Sequence, residues 1–345
     1  MTESNLAAEA AQRLVAGDRA AALSLYLRAW NRPDDEVAER IFDIVSEWGD
    51  IDAALKTVEA EAQGGNPAAY EALAELLVEL DRPKEALAAL RSAAEGGRDV
   101  TLMIASVLAD ELGDREQAEE YYRQALVDDN PRALNDYGAF LSEDDERLDE
   151  ATDLLRRAIE RGDTMAAGNL GRLLADEEKY EEALPWLQQA LDAGHRSVLA
   201  VLGETEHALG DLESARTHLR EALAEEVTGA HFAYALHLAD TGSPEEAVRH
   251  YESAAKEDGE TNAHLNLALL HEELEHWPQA DHHYREALAH QDETAYVYYA
   301  QFLADQNRGD EIGALLKSAE QLALDEEDLA ELRALAEENG RVDNS

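Results

Sequence analysis

The chain has 345 residues, 77 of them Asp or Glu and 29 Lys or Arg, giving a formal net charge of −48. Phosphate backbones are gripped by basic patches that displace counterions, so nucleic acid is not an expected partner. No cysteine is present, which removes disulfides, thiolate metal centres and a cysteine nucleophile from consideration.

The N-terminal stretch MTESNLAAEAAQRL lacks a basic flank followed by an apolar run, and no run of about 18 apolar residues follows anywhere. A cytoplasmic protein without membrane contact is the expectation. Acidity alone would suit a disordered chain, but 45% of the residues are apolar and recur at helical spacing, which argues for a packed core.

That recurrence starts at Ala22 and continues through Ala54, Ala86, Ala118, Ala151, Ala183, Ala215, Ala247 and Ala280, with Ile312 in the tenth place, at intervals of 32 or 33. Four residues after each anchor stands Tyr26, Val58, Leu90, Tyr122, Leu155, Leu187, Leu219, Tyr251, Tyr284 or Leu316. Seven residues after it stands an alanine, except for Glu61. Positions i, i+4 and i+7 share one helical face. Upstream of the anchors, Leu170-Gly171, Leu202-Gly203, Leu267-Ala268 and Tyr299-Ala300 set a large residue beside a small one, the mark of a closely approached first helix. Five residues before the anchor, Gly17, Gly49, Gly113, Gly210 and Gly242 supply a left-handed helix end. Asp18, Asp50, Asp114 and Asp211 follow as N-caps, and Ser243-Pro244-Glu245-Glu246 reads as a capping box. Each unit is therefore predicted to be two helices joined by a tight turn.

The pattern resembles tetratricopeptide-type repeats, and the wording from Ala166 to His195 is also similar to the related Sel1-like repeats. The resemblance covers residues 6 to 322 in ten units, of which the first carries Glu9 and Arg13 at places that are apolar elsewhere. It implies an all-α, right-handed superhelix of about ten helix-turn-helix repeats over residues 1–324. Residues 325–339 are predicted to form a capping helix, with a disordered tail over 340–345. The resemblance also implies a concave groove for an extended peptide or partner helix. Matched copy by copy, Glu71, Glu75, Met103, Val107, Arg132, Asn135, Asn169, Arg172, Glu204 and Phe232 fall on that face. Of these, Arg132, Asn135, Asn169 and Arg172 form the candidate polar island, because guanidinium and amide groups hold carboxylates and extended backbone. The lysine clamp with which some members of the family grip acidic chaperone tails has no counterpart here.

No phosphate loop, nucleotide fingerprint or serine elbow occurs, so neither enzymatic activity nor a cofactor is expected. His271-Glu272-Glu273-Leu274-Glu275-His276 superficially resembles a zinc-protease motif, but histidines five apart on a helix diverge by about 140°. All 12 histidines follow residue 194, and nine lie between His231 and His290. This crowding sets out an alternative, a metal- or pH-responsive module over 231–290, although no two histidines are three or four apart. Mixed pairs such as Glu272 with His276 or Glu286 with His290 remain available to a divalent ion. Acidic clusters at Asp110-Glu111, Glu143 to Glu146, Asp176 to Glu178 and Glu272-Glu273 are read as solubilising turn segments. The leading expectation is a non-enzymatic scaffold that binds a protein or peptide, with the negative field favouring basic partners.

Overall fold

The structure is a computed structural model and describes residues 3–30, 36–257, 262–322 and 324–340. Among the described residues every regular element is helical. Contacts divide the chain into two compact units, Met1–Asp163 and Thr164–Ser345.

The first unit holds five helix pairs: α1 (Glu3–Val15) with α2 (Arg19–Ala29), α3 (Glu36–Ser46) with α4 (Ile51–Gln63), α5 (Pro67–Glu79) with α6 (Pro83–Glu95), α7 (Thr101–Ser106) with α8 (Arg115–Val127), and α9 (Ala133–Leu141) with α10 (Leu148–Glu160). A π-helical turn, Val107–Glu111, extends α7, and a short 3₁₀ turn, Asp145–Arg147, precedes α10. The second unit holds α11 (Met165–Asp176) with α12 (Tyr180–Asp192), α13 (Leu199–Ala208) with α14 (Leu212–Ala224), α15 (Ala230–Asp240) with α16 (Pro244–Glu257), α17 (Asn262–Glu273) with α18 (Trp277–Ala289), and α19 (Ala295–Asp305) with α20 (Gly309–Leu322). A last helix, α21 (Glu326–Gly340), packs on α19 and α20 and buries Leu329 and Leu332. Residues 341–345 of the expected tail lie outside the described residues.

The repeated anchor is the core of each pair. All nine anchor alanines and Ile312 are fully buried, as are the alanines seven residues on from Ala29 to Ala319. The exception, Glu61, is half-buried and takes both oxygens to Arg28, at 2.9 and 2.6 Å, so charge pairing replaces the methyl contact. On the facing first helices Gly138, Gly171 and Gly203 lie where an added Cβ would come within 2.5–2.8 Å of Leu155, Leu187 and Leu219. Close helix approach in these pairs therefore requires the absence of a side chain.

The turns repeat as strictly as the core. Asp18, Asp50, Asp114 and Asp211 each accept from the backbone N–H three residues on, as their position predicts. Five residues before the anchor the backbone is left-handed not only at Gly17, Gly49, Gly113, Gly210 and Gly242 but also at Asp81, Glu178, Glu275 and Asn307, with φ of 55 to 58°. Eleven residues after the anchor a second left-handed position recurs at Gly65, Gly97, Asp129, Gly162, Gly194, Glu226 and Gln291. Both reversals of the repeat thus use one device, and glycine supplies it at only some of them.

Successive pairs are also stitched by charge. In the first unit Glu119 of α8 accepts from Tyr137 Oη at 2.6 Å and from Arg147 at 2.5 Å, while Arg147 also holds Glu150. The second unit repeats the arrangement: Asp281 of α18 accepts from Tyr299 at 2.8 Å and Arg308 at 2.6 Å, and Arg308 holds Glu311. Stacked Tyr122, Tyr137 and Phe140, and again Tyr284, Tyr299 and Phe302, lie beneath these networks.

Candidate functional site: first-helix faces and a histidine ladder

The residues predicted for partner binding fall on first helices or their caps, and the unit boundary divides them. In the first unit Met103 is half-buried on α7. Arg132 caps α9 with its side chain 72% exposed and lies 3.6 Å from Asp136. Asn135 is buried, and its Nδ2 donates to Asp136 Oδ1 at 2.9 Å, so it orients the carboxylate beside Arg132 rather than facing solvent. Burial outweighs these contacts and raises the Asp136 pKa. Val107 is buried in the π-helical turn.

In the second unit Asn169 and Arg172 stand one turn apart on α11, half-buried and exposed respectively. Glu204 on α13 is half-buried. Phe232 on α15 is partly buried, edge-on to Tyr251 at 5.4 Å between ring centres. Across the first helices α5 to α19, Arg172 is the one Lys or Arg within a described helix, and Arg132 the one at a cap. The other basic residues of this span sit on second helices and in connecting turns.

Glu71 and Glu75, one turn apart on α5, meet different fates. Glu71 is buried and accepts from Arg98 Nε at 2.5 Å, with the Arg98 guanidinium 4.8 Å from the Trp30 ring centre. Among the described residues no cation pairs with Glu75, and burial, with the charges of Glu71 and Glu79 adding to it, pushes its carboxyl up to about 7.

The histidines form contacts that spacing within a helix does not reveal. His231 and His250 face each other Nδ1 to Nδ1 at 2.9 Å, and 33 residues on His264 and His283 repeat the contact at 3.2 Å. His207 meets His237 at 3.2 Å and Asp240 at 3.0 Å. His271 and His276 do not share a helix: α17 ends at Glu273, Glu275 is left-handed, and His276 caps α18, bringing the two Nδ1 atoms to 3.4 Å. The rotation expected for one continuous helix therefore does not apply to this pair. Burial is the leading cause that lowers the pKa of His237, His250, His264 and His271, and neighbouring imidazoles reinforce it. At the open end of α17 and α18, one donor atom each from His264, Glu286 and His290 lies within 4.8 Å of the others. Spacing along the chain pairs Glu286 with His290 but does not include His264, which arrives from the preceding helix.

Among the described residues, ten helix pairs with small-residue joints define a helical-repeat protein. Two tetratricopeptide-repeat family models match the sequence, one over residues 106–166, 143–197 and 201–262 and the other over residues 67–92. The chain belongs to the tetratricopeptide-repeat proteins. Its fold is similar to that of the Cut9–Hcn1 hetero-tetramer of the APC/C (TM-score 0.59, 14% identity, covering 96% of this chain and 76% of that one). It is also similar to the human IFIT1 dimer with PPP-AAAA (0.57, 16%, 95% and 95%). A tetratricopeptide repeat protein from Parabacteroides merdae matches over 68% of this chain and 97% of its own (0.52, 18%). No curated protein matches the sequence. Among the described residues no helix is long and apolar enough to cross a membrane.

Proposed function

We propose that the chain is a non-enzymatic interaction scaffold that takes a peptide or partner helix on the first-helix faces of its units. The observation that carries this reading is the placement of basic charge. Arg132 and Arg172 are exposed, and no other Lys or Arg belongs to a described first helix or its cap from α5 to α19. A guanidinium in such a place holds a carboxylate or backbone carbonyl of a partner, while Asn169 supplies both donor and acceptor to an extended strand. Met103 on α7 and Phe232 on α15 are partly buried apolar residues of the same first-helix series. The net charge of −48 raises encounter with basic partners and specifies little else. A phosphate-rich partner such as the PPP-AAAA seen with human IFIT1 is disfavoured for this chain, because two separated arginines neutralise few phosphates.

The test is affinity capture from the native lysate with wild type, Arg132→Glu with Arg172→Glu, and a second-helix control, Arg216→Glu with Arg220→Glu, on the exposed side of α14. Partners lost with the first variant and kept with the control support the reading. Partners indifferent to both, and released by salt alone, refute it.

A further inference from the structure

We propose that the open end of the α17/α18 pair is a binding site for a divalent transition-metal ion of the zinc or nickel type, with His264, Glu286 and His290 as its ligands. The topology assembles the site. Antiparallel packing sets the start of α17 beside the end of α18, so His264 meets a face of α18 on which Glu286 and His290 are one turn apart. The backbone holds His290 in place, its N–H bonding to Glu286 O at 3.0 Å and the chain then reversing at the left-handed Gln291.

The three donor atoms already lie within 4.8 Å of one another. Ligands of a tetrahedral zinc ion, with bonds of about 2.0–2.1 Å, are about 3.3 Å apart. Side-chain rotations that move each donor by an ångström or so close that gap without moving a helix. A further imidazole is at hand, since His283 Nδ1 is 3.2 Å from His264 Nδ1. His282, 3.9 Å from Glu286, is the competing partner that the carboxylate would release.

Two imidazoles and one carboxylate select borderline ions over calcium or magnesium, which take six or more oxygens. The rest of the molecule supplies an internal comparison. His231 and His250 repeat the facing pair one unit earlier, yet among the described residues no third donor completes a group there. An ion attracted merely by imidazole pairs would also occupy the His231–His250, His207–His237 and His271–His276 pairs, whereas the proposed site is single.

The test is calorimetric titration of the full chain with zinc chloride and nickel chloride, with magnesium and calcium chloride as controls, and cobalt(II) absorption as the readout of nitrogen ligation. The expected result is one saturable equivalent of zinc in the presence of excess magnesium. His264→Ala with His290→Ala should abolish it. Glu286→Gln should weaken it by at least about 10- to 100-fold, since losing a ligand costs no less than losing a partner that merely orients one. His231→Asn with His250→Asn should leave it unchanged. Far-UV circular dichroism checks that each variant folds; should the double alanine variant fail to fold, Glu286→Gln decides alone. The proposal is overturned if wild type shows no saturable zinc or nickel binding. It is equally overturned if binding survives loss of His264 and His290, if Glu286→Gln leaves affinity unchanged, or if binding follows His231 and His250 instead.

Discussion

Replacing Gly203 by alanine tests whether a missing side chain sets the closeness of each helix pair. The added Cβ would stand 2.5 Å from Leu219 Cγ, 2.7 Å from its Cδ2 and 3.3 Å from the Ala215 carbonyl oxygen. Leu219 and Ala215 are fully buried, so neither retreats into solvent. Alanine in place of glycine inside a helix gains about 1 kcal/mol from backbone entropy. Overpacking of this kind costs about 1–3 kcal/mol, and two contacts below 3 Å place it in the upper half of that range. The expected net loss is about 1–2 kcal/mol. Gly313 provides the contrast, since it is exposed within α20 and an added Cβ meets nothing within 4 Å. There the same substitution should stabilise by about 1 kcal/mol. Because repeat arrays open locally, the readout is native-state hydrogen exchange of α13 and α14 for the first variant and of α20 for the second. Leu219→Ala in the Gly203→Ala background should cost less than the two single changes added together, as neighbours sharing one joint do. A Gly203→Ala protein stabilised as much as the Gly313→Ala protein would refute the packing argument.

Three further outcomes follow from particular residues. Glu75 holds its proton to about pH 7 against an ordinary value of 4.5, so its contribution to stability is complete below pH 4.5 and is lost as pH rises through 7. Glu75→Gln should therefore stabilise the first unit at pH 8 by up to about 3 kcal/mol and be nearly neutral at pH 4; exchange protection of α5 that is equal at both pH values contradicts this. Arg98→Met leaves the buried Glu71 carboxylate without its cation and should cost about 3 kcal/mol, with much of the loss recovered by adding Glu71→Gln; denaturation of the two variants side by side is the check. Glu178→Gly should stabilise by about 0.5–1 kcal/mol, because φ of 58° strains a side-chain-bearing residue more than it costs glycine in entropy; a lower Tm than wild type would count against it.

Helix pairing was legible in the sequence because one alanine and its partners four and seven residues on bear the same packing duty in every unit. The inter-helix turns were legible at Gly17, Gly49, Gly113, Gly210 and Gly242, where glycine announces the left-handed backbone. At Glu178 and Glu275 the same backbone is imposed by the helices on either side, and no residue type signals it, whereas Asn307 is of a type that tolerates it. That difference explains why the histidine contacts stayed hidden. His271 and His276 read as one helix until Glu275 turns the chain between them. His264 and His290 are 26 residues apart in sequence, and only the register of α17 against α18 brings them together. For the proposed partner-binding face, repeat phase located the first helices, but side-chain placement rests on neighbours: Asn135 is drawn to Asp136 and buried, while Arg132 and Arg172 stay exposed.

The most direct measurement of the scaffold reading is the hydrogen-exchange footprint of a captured partner on the full-length chain. Protection concentrated on first helices, at α9, α11, α13 and α15, and diminished by Arg132→Glu with Arg172→Glu, is the predicted result. Protection confined to second helices such as α14 and α16, or none on any helix, would contradict the assignment of partner binding to the first-helix faces.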